Sequence, residues 1–418
     1  MVKNKNIPNI RFPEFNDTWG LRKLGELTER VRGNDGRMNL PTLTISAASG
    51  WLDQRERFSA NIAGKEQKNY TLLSKGELSY NKGNSKLAKY GVVYELKNYD
   101  EALVPRVYHS FRVNKYSLAS FIEYMFETKK TDKELAKLIS SGARMDGLLN
   151  IGYEEFMGIK IKVPSIMEQE KIVNLIRSFN NVISLQQQEL TILKQTKQGF
   201  LQKMFPKEGE AVPEVRFPGF TEDWVQHRFE KVFDVHTDFV SNGSFQDLKD
   251  NVKLYHTENY AYMIRLTDAS NNWKGPWLYT DQKGFEFLDK STVYENDILM
   301  SDRGTIGKFF LVPELGKPMT LSSNAVLLRS SKNDNSFTYY LLNTKEVENQ
   351  IKMRTTPGAQ PMISKTEFKQ ITAKFPRLNE QKKIGSFFKQ LDDTIILHQR
   401  ELEALQQTKK AFLQKMFV

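Results

Sequence analysis

A basic segment in the first half of the chain carries the side chains best suited to binding an anionic ligand. The run NKGNSKLAKYG, residues 81–91, places Lys82, Asn84, Lys86 and Lys89 between glycines. Glycine lets backbone amides approach a ligand closely, and ammonium groups are attracted to phosphate oxygens. This loop therefore predicts contact with a nucleic-acid backbone, although each residue taken alone is more typical of solvated protein surface or of a salt bridge.

Other long hydrogen-bond donors flank predicted turns, where they could reach base edges in a DNA groove. Arginine with guanine, and asparagine or glutamine with adenine, are the favoured bidentate pairs. The candidates in the first half are Arg106, Tyr108, Arg144 and Asn150. The candidates in the second half are Arg265, Asn271, Asn272, Trp273, Arg303, Lys308, Arg354 and Gln360. We expect a minority of the whole set to touch DNA, because salt bridges and exposed polar surface account for most residues of these types.

No arrangement of residues in the sequence matches a catalytic or metal-binding constellation. It has no Gly-x-Gly-x-x-Gly or Walker A segment to hold phosphates, and no Asn-Pro-Pro-Tyr stretch typical of adenine methyltransferases. The five histidines lack metal-ligand spacing, and the absence of cysteine removes thiolate nucleophiles and Cys-ligated metals. The pentapeptide PELGK, residues 313–317, resembles half of a nuclease site, but its Pro and Gly favour a loop. We expect no catalytic group, metal or cofactor in this chain.

Composition is consistent with a DNA-binding protein of the cytoplasm. The 418 residues carry a formal net charge of +11, and a basic excess favours a polyanionic partner. The basic N-terminus is not followed by an apolar signal core, and no apolar run is long enough to span a membrane. A merely basic soluble protein is the alternative at this stage.

The sequence repeats itself, which organises the rest of the chain. PNIRFPEFNDTW from Pro8 matches PEVRFPGFTEDW from Pro213, an offset of 205 residues. QTKQGFLQKMF from Gln195 matches QTKKAFLQKMF from Gln407 at nine of eleven positions, an offset of 212 residues. Matching blocks in the same order predict two copies of one fold, with a second variable region about seven residues longer.

The regions between the matching blocks predict mixed α/β domains. Short β-branched and aromatic runs punctuated by Gly, Asn and Pro are typical of strands, as at 91–95, 160–163 and 308–312. Helices are predicted around 118–127 and 336–350. Weak similarity persists between LTISAASGW at 43–51 and IRLTDASNNW at 264–273.

Two segments with heptad spacing predict long coiled-coil helices. The predicted seam of the first is Ile172, Ile176, Phe179, Ile183, Gln186, Leu190, Leu193, Phe200 and Met204. The predicted seam of the second is Ile384, Phe388, Leu391, Ile395, His398, Leu402, Leu405, Phe412 and Met416. The polar members Gln186 and His398 are expected to fix register, as are Lys197 and Lys409; for His398 a core role is favoured over metal binding or proton transfer.

The first of these helices has a clear N-terminal signal. Ser165 lies three residues before Glu168, which predicts a capping box after Pro164. The second copy has Arg377 at the equivalent position, so Asn379 is expected to cap it instead. Each helix spans about 40 residues, so a rod of roughly 60 Å is expected, on the order of two turns of B-DNA.

The repeated features together resemble the specificity subunit of type I restriction–modification systems, over nearly all of the chain. Each variable region is followed by Pro-x-x-x-Glu-Gln-x-x-Ile, at 164–172 and 376–384, and by a long helix ending near TKxxFLQKMF. The resemblance implies an α+β fold with an internal pseudo-two-fold repeat. Two similar mixed α/β target recognition domains would be separated by two long helices packed as an antiparallel coiled coil. The implied segments are domain 1 at 1–165, helix 1 at 166–206, a linker at 207–212, domain 2 at 213–376 and helix 2 at 377–418.

The resemblance also implies a role. Each recognition domain would read one half of a split double-stranded DNA target, and the helix pair would act as a ruler between them. The subunit would be non-catalytic and would bind two methyltransferase subunits, and through them restriction subunits. S-adenosylmethionine, ATP and Mg²⁺ would belong to those partners. Three alternatives stay open: an orphan subunit, a coiled-coil scaffold for acidic proteins, and an unrecognised DNA-acting enzyme.

Overall fold

The computed structural model describes residues 6–58, 64–139, 148–323, 325–358 and 361–418. The chain divides into two compact units. Unit 1 contains residues 1–187 and 400–418, and unit 2 contains residues 188–399. Each unit thus combines one variable region with parts of both long helices, because the hydrophobic core of each unit takes residues from both of them.

The described residues of unit 1 form short strands and several helices. The strands are β1 Gly20–Lys23, β2 Thr28–Arg30, β3 Leu43–Ser46, β4 Gly50–Asp53, β5 Thr71–Ser74, β6 Leu78–Asn81, β7 Val92–Glu95, β8 Glu101–Val104, β9 His109–Val113 and β10 Lys160–Val163. The helices that begin in this unit are α1 Gln54–Phe58, α2 Ala119–Glu127, α3 Asp132–Ala136, α4 Tyr153–Met157 and α5 Ile166–Lys203. The predicted strands at 91–95 and 160–163 and the helix at 118–127 are confirmed.

Unit 2 contains a matching set of elements. The strands are β11 Val225–Arg228, β12 Val235–Asp238, β13 Ala261–Ile264, β14 Tyr279–Thr280, β15 Thr292–Val293, β16 Ile298–Met300, β17 Phe309–Leu311, β18 Met319–Leu321, β19 Val326–Arg329 and β20 Thr372–Phe375. The helices are α6 Phe229–Val232, α7 Phe245–Asn251, α8 Leu266–Ser270, α9 Gln282–Phe287, α10 Asn335–Leu342, α11 Lys345–Arg354, α12 Lys365–Lys369 and α13 Leu378–Met416. The single helix predicted around 336–350 is two helices, α10 and α11, separated at Asn343 and Thr344.

Sheet order shows that the two units share one topology. The main sheet of unit 1 is β2-β9-β6-β7, and that of unit 2 is β12-β19-β16-β17. The second sheet of unit 2 is β14-β13-β18-β15. In unit 1 the same places are taken by the pairs β4-β3 and β8-β5, joined by a parallel bridge between Thr42 and Leu103. A third ribbon pairs β1 with β10 in unit 1 and β11 with β20 in unit 2. The α+β fold and its internal repeat are therefore confirmed.

The long helices pack through the heptad seam. Every seam residue predicted from the sequence is buried or half-buried, whereas most of the positions between them in the middle of each helix are exposed. In unit 2, Phe200 meets Phe387 with ring centroids 5.1 Å apart, and Glu189 lies 3.7 Å from His398. Residue numbers rise along α5 as they fall along α13, so the two helices run antiparallel. In unit 1 the seam joins Phe179 to Phe412, with centroids 5.4 Å apart.

The N-terminal caps differ between the two long helices. The Glu168 amide donates to Ser165 Oγ over 3.4 Å, which is one of the two bonds of the predicted capping box; the Glu168 carboxylate accepts from Arg11. The expected cap by Asn379 is wrong, because α13 begins at Leu378 and Asn379 lies inside its first turn. The Arg377 carbonyl instead accepts from the amides of Glu380 and Gln381 at 3.0 and 3.1 Å.

The repeated FLQKMF segments place the C-terminal end of each long helix in the hydrophobic core of one unit. In unit 1, Phe417 packs on Trp19 and Phe121, with ring centroids 6.1 and 5.1 Å apart. The Ile10 amide donates to the Lys415 carbonyl over 3.0 Å, which fastens the first block of the repeat to the end of α13. Unit 2 makes the same contacts one repeat earlier.

In unit 2 the segment after α5 takes the place that the chain start takes in unit 1. Phe205 packs on Trp224 and Phe337, with centroids 6.1 and 5.5 Å apart. The Val215 amide donates to the Lys203 carbonyl over 2.9 Å. Each copy of FLQKMF thus completes the hydrophobic core of one domain, which is the physical reason that the segment occurs twice.

The repeated Arg-Phe-Pro and Glu-Gln motifs form a buried polar frame. Arg11 donates two hydrogen bonds of 2.8 Å to the Glu168 carboxylate. Arg216 binds Glu380 in the same way at 2.7 and 2.8 Å. Such bidentate pairs are strong and directional, so they hold the start of each domain against the start of its long helix.

Candidate nucleic-acid interface

The basic loop of unit 1 is an ordered connection between β6 and β7. Its turn is closed by reciprocal backbone hydrogen bonds of 3.1 and 3.2 Å between Ser85 and Ala88, and Ala88 is buried. The loop returns to β7 through Gly91, where φ is +79° and a Cβ atom would lie 2.5 Å from the Asn81 carbonyl oxygen. Only glycine fits there.

This loop presents most of its predicted ligands to solvent. Asn84, Lys86 and Lys89 are exposed. Lys82 is half-buried, and its Nζ donates to the Ile151 carbonyl over 3.4 Å. The Leu149 amide donates to the Lys82 carbonyl over 2.8 Å, so exposed Asn150 lies beside the loop. The structure therefore brings these five predicted residues together on one surface.

The tip of the β3–β4 hairpin, residues 46–49, borders the same surface. The Asn81 side-chain amide donates to the Ile45 carbonyl over 3.1 Å, and the Tyr94 hydroxyl donates to the Ala47 carbonyl over 3.4 Å. Residue type does not point to this tip, because Ala47 and Ala48 carry no side-chain donor. Its similarity to the segment at 264–273, which holds four of the candidate residues, is the signal in the sequence that indicates it.

Of two other candidate residues in unit 1, Arg106 lies on the surface and Tyr108 lies in the core. Arg106 is exposed in the turn between β8 and β9. Tyr108 is buried, and its hydroxyl lies 3.0 Å from Thr44 Oγ1 and accepts from the Ile45 amide over 3.2 Å. Because these partners hold its hydroxyl within the second sheet, Tyr108 is a structural residue and not part of the exposed surface.

The equivalent loop of unit 2 connects β16 to β17 and presents Arg303 and Lys308. Both side chains are exposed, and Arg303 Nε lies 3.4 Å from a carboxylate oxygen of Asp302. The Gly304 amide donates to the Pro361 carbonyl over 3.1 Å, as Leu149 does to Lys82 in unit 1. The two loops therefore occupy one topological position, each held by the segment that precedes the last strand of its domain.

Arg354 lies at the end of α11, and the segment after it pairs with the segment that holds this loop. Thr356 and Met362 form a bridge, and the Thr356 amide donates to the Met362 carbonyl over 2.9 Å. The Arg354 side chain is half-buried and donates to the Gln350 carbonyl over 3.4 Å. Arg144 and Gln360, the remaining candidates near these loops, lie outside the described residues.

The loop at 265–276 uses most of its predicted donors internally. Arg265 donates to both carboxylate oxygens of Asp268 at 3.0 and 2.6 Å and to the Pro276 carbonyl at 2.7 Å. Asn271 donates to the Gly275 carbonyl over 2.6 Å. Both side chains shape the loop through these bonds, and their contact with base edges stays a prediction.

The next two residues of that loop differ in exposure. Asn272 and Trp273 have φ values of +52° and +58°, a left-handed conformation that is uncommon for residues other than glycine. Asn272 is exposed, whereas Trp273 packs against the buried cluster that contains Leu299 and Leu327. Asn272 is therefore the candidate that this loop offers to a ligand, and Trp273 anchors it.

Two histidines beside these surfaces are kept neutral by burial. Burial lowers the pKa of His109, whose Nε2 lies 2.9 Å from the Ile151 carbonyl oxygen. Burial, together with Lys365 and Lys369, lowers the pKa of His236 to about 4. Neither ring supplies a positive charge near neutral pH, so the basic character of both surfaces comes from lysine and arginine.

Among the described residues no group of three His, Asp or Glu side chains could hold a metal ion. Lys317 of the PELGK segment lies 3.0 Å from Glu258, in a surface ion pair. No helix within the described residues is long and apolar enough to cross a membrane.

Comparison with known proteins identifies similar chains. Residues 221–407 match the family model described as the type I restriction modification DNA specificity domain. The putative type I restriction enzyme MjaX specificity subunit of Methanocaldococcus jannaschii is 23% identical, over 98% of this chain and 95% of its own length. The MjaVIII specificity subunit of the same organism is also 23% identical, over 69% of this chain and 68% of its own.

Solved structures share the fold. The type I restriction–modification S subunit from M. genitalium superposes with a TM-score of 0.58 at 14% identity, over 99% of each chain. A chain from a structure of type I complex assembly and conformational transition gives a TM-score of 0.52 at 15% identity, over 96% of this chain and 97% of that one.

Proposed function

The chain belongs to the family of type I restriction–modification specificity subunits, and from this premise we propose that it reads a split double-stranded DNA target. Unit 1 reads one half-site and unit 2 reads the other. The observation that carries this proposal is the repeated topology. The loops at 82–91 and 302–308 stand at one position of one fold, yet they carry different donors.

The exposed donors on these surfaces recognise the sequence of the DNA. Lysines such as Lys86 and Lys89 neutralise phosphates and position the duplex without reading sequence. Arg303 and Asn84 have the geometry for bidentate contacts with guanine and adenine, respectively. Different donors on the same frame give each unit its own short sequence.

The long helices set the distance between half-sites in this proposal. A straight helix with the 38 residues of α5 measures roughly 57 Å at ~1.5 Å per residue. Antiparallel packing through a continuous seam makes such a pair stiff. The spacer of the target is therefore a property of the helices, whereas the half-site sequences are properties of the domains.

The outer faces of the helices support docking of partner subunits. Leu185 is 64% exposed and Leu397 is 55% exposed, and these leucines occupy equivalent positions of the repeat, 212 residues apart. Contiguous exposed apolar patches mark protein-binding surfaces, and exposed Val182 and Ile396 lie close to these leucines on α5 and α13. We propose that two methyltransferase subunits bind there, one at each copy, and that restriction subunits join through them.

Catalysis is then the work of the partners. S-adenosylmethionine, ATP and Mg²⁺ act on those subunits, and the residues of this chain bind and orient DNA. Turnover of DNA by the isolated chain would contradict this part of the proposal.

The proposal is tested by random-duplex selection with the complex of this chain and its methyltransferase. We expect one split target with two unrelated half-sites. Inserting four residues at matched points in both helices lengthens each by ~6 Å, so the selected spacer should grow by about two base pairs. A contiguous target, or an unchanged spacer in the insertion variant, would contradict it.

A further inference from the structure

The second long helix carries a carboxylate that ties three elements of unit 2 together. Lys197 of α5 lies 2.5 Å from Asp392 Oδ1 on α13. The Tyr340 hydroxyl of α10 donates to Asp392 Oδ2 over 2.8 Å. Lys197 also lies over the Tyr340 ring, 5.4 Å from its centroid. One carboxylate thus connects both long helices to the recognition domain.

Because the side chains around Asp392 are largely buried, its contacts depend on the orientation of α10 relative to the long helices. Tyr340 is 2% exposed, and the side chains of Lys197 and Asp392 are 22% and 30% exposed. Burial and the neighbouring Asp392 carboxylate raise the pKa of Tyr340, so its hydroxyl remains a donor. Hydrogen bonds to a charged group in such a partly dry site are strong and depend on angle, so tilting α10 on the helix pair would break them.

Unit 1 lacks a carboxylate at the equivalent position. Asn180 stands 212 residues before Asp392, and its Nδ2 donates to the Tyr124 hydroxyl over 3.4 Å. Lys409, the repeat equivalent of Lys197, pairs instead with Glu127 of α2 at 2.9 Å. At these equivalent positions the two contacts of unit 1 share no carboxylate, and the Asn180 bond is neutral and long. Arg177 and Gln414 add separate bonds, to Ser120 Oγ over 2.9 Å and to the Thr128 carbonyl over 3.0 Å.

We propose that Asp392 is a positioning residue that fixes the orientation of the second recognition domain on the helix pair and so narrows the spacer lengths that the protein accepts. This inference rests on the proposed function, because it assumes a target split into two half-sites. It assigns spacer selectivity to a side chain that lies outside both candidate DNA-binding loops.

Duplex geometry explains why orientation matters. Adding one base pair to the spacer moves a half-site by ~3.4 Å along the axis and turns it by roughly 34–36°. A domain locked to its helices cannot follow that rotation. A domain that can tilt on the helix pair can follow part of that rotation. Weakening the contacts between this domain and the helices should therefore allow targets with neighbouring spacer lengths to bind.

The experiment compares Asp392→Asn with Asp393→Asn in the complex with the methyltransferase. Asp393 is exposed and adjacent, so its replacement removes the same charge but leaves the contacts of Asp392 with Lys197 and Tyr340 intact. Libraries hold both half-sites and vary the spacer, and melting temperature is recorded for every variant. We expect Asp392→Asn to keep the half-site sequences and to reduce the preference for the best spacer over its neighbours about tenfold, the factor set by one charged hydrogen bond. Asp393→Asn should match the wild type.

A second variant keeps the test decisive if Asp392→Asn does not fold. Tyr340→Phe removes only the hydroxyl that donates to the charged Asp392 carboxylate, and we expect the same change in spacer preference, again about tenfold. A folded variant with the wild-type spacer distribution, even with a lower melting temperature, would overturn the inference alone. A contiguous wild-type target would overturn the proposed function and this inference together.

Discussion

Unit 1 and unit 2 are most alike in their buried polar frame and least alike in the loops that face solvent. Glu168 and Glu380 are each 1% exposed and each bind one arginine in the same bidentate way. The loops at 82–91 and 302–308, by contrast, share neither length nor sequence. A buried carboxylate without its partner is costly, whereas an exposed side chain can be replaced freely, so the two regions tolerate different amounts of change.

The loops can diverge because the frame holds them by backbone atoms. Lys82 uses its carbonyl and Gly304 its amide to bond with the segment beside each loop. Side chains on the loops are therefore free to differ while the loops keep their position. Backbone bonds hold each loop in place and its side chains are free to vary, so one fold can present two different sets of donors.

The largest expected effect comes from breaking the frame. Glu168→Ala should destabilise unit 1, and Glu380→Ala unit 2, by roughly 3–5 kcal/mol each, because each leaves a largely buried arginine unpaired. Hydrogen exchange resolved by peptide measures the two units separately. Glu14→Ala, which removes an exposed partner of Lys171, is the control and should leave the stability of both units almost unchanged. Equal losses in both units from a single substitution would contradict independent frames.

A pH effect should distinguish unit 1 from unit 2. Burial raises the pKa of Glu123 to about 7, although Lys97 opposes the shift, and Glu95 lies in the same cluster. Because the folded pKa exceeds the unfolded value, this stabilisation is complete below pH ~4.5 and is lost as pH rises towards 7. Its size is roughly 3 kcal/mol at ~1.36 kcal/mol per pKa unit.

Glu123→Gln should remove that pH dependence. Hydrogen exchange of α2, corrected for intrinsic rates, is compared at pH 5 and pH 8 in the wild type and the variant. Helix α10 of unit 2, which carries Tyr339 and Tyr340 in the corresponding stretch, is the internal control. If α2 loses the same protection in both proteins between these pH values, Glu123 is not the group responsible.

A smaller effect is expected from a single reading contact. Arg303→Ala should cost ~1–3 kcal/mol at one position of the second half-site and leave the first half-site unchanged. Asn84→Ala should have the same cost at one position of the first half-site and leave the second half-site unchanged. Competition binding with singly substituted duplexes at one salt concentration measures both. Loss of selectivity in both half-sites from either substitution would show that the units do not read independently.

The smallest effect is expected from a phosphate contact. Lys86→Ala should reduce the slope of log K against log salt by ~0.9 and leave sequence preference intact. Lys75, which pairs with Asp100 outside the loop, provides the control, since Lys75→Ala should leave the slope unchanged. A changed base preference in Lys86→Ala would mean that this lysine reads sequence.

The sequence by itself determined the plan of the molecule. Repeated blocks predicted two copies of one fold, and heptad spacing predicted helices that the structure places at Ile166–Lys203 and Leu378–Met416. Both signals are local or periodic, so they can be read without knowing which residues meet. Trp19 and Trp224, which end the first matching block of each copy, are both buried, as equivalent positions of a repeat should be.

Only the tertiary structure decided which donors remain available to a ligand. Tyr108 is bonded to Thr44, 64 residues away, and Arg265 is bonded to Asp268 and Pro276 within one irregular loop. It also decided that the chain end at Phe417 packs on Trp19, nearly the whole chain away. Residue type shows what a side chain can bind, but its partner is set by folding, because contacts between distant segments leave no periodic trace in the sequence.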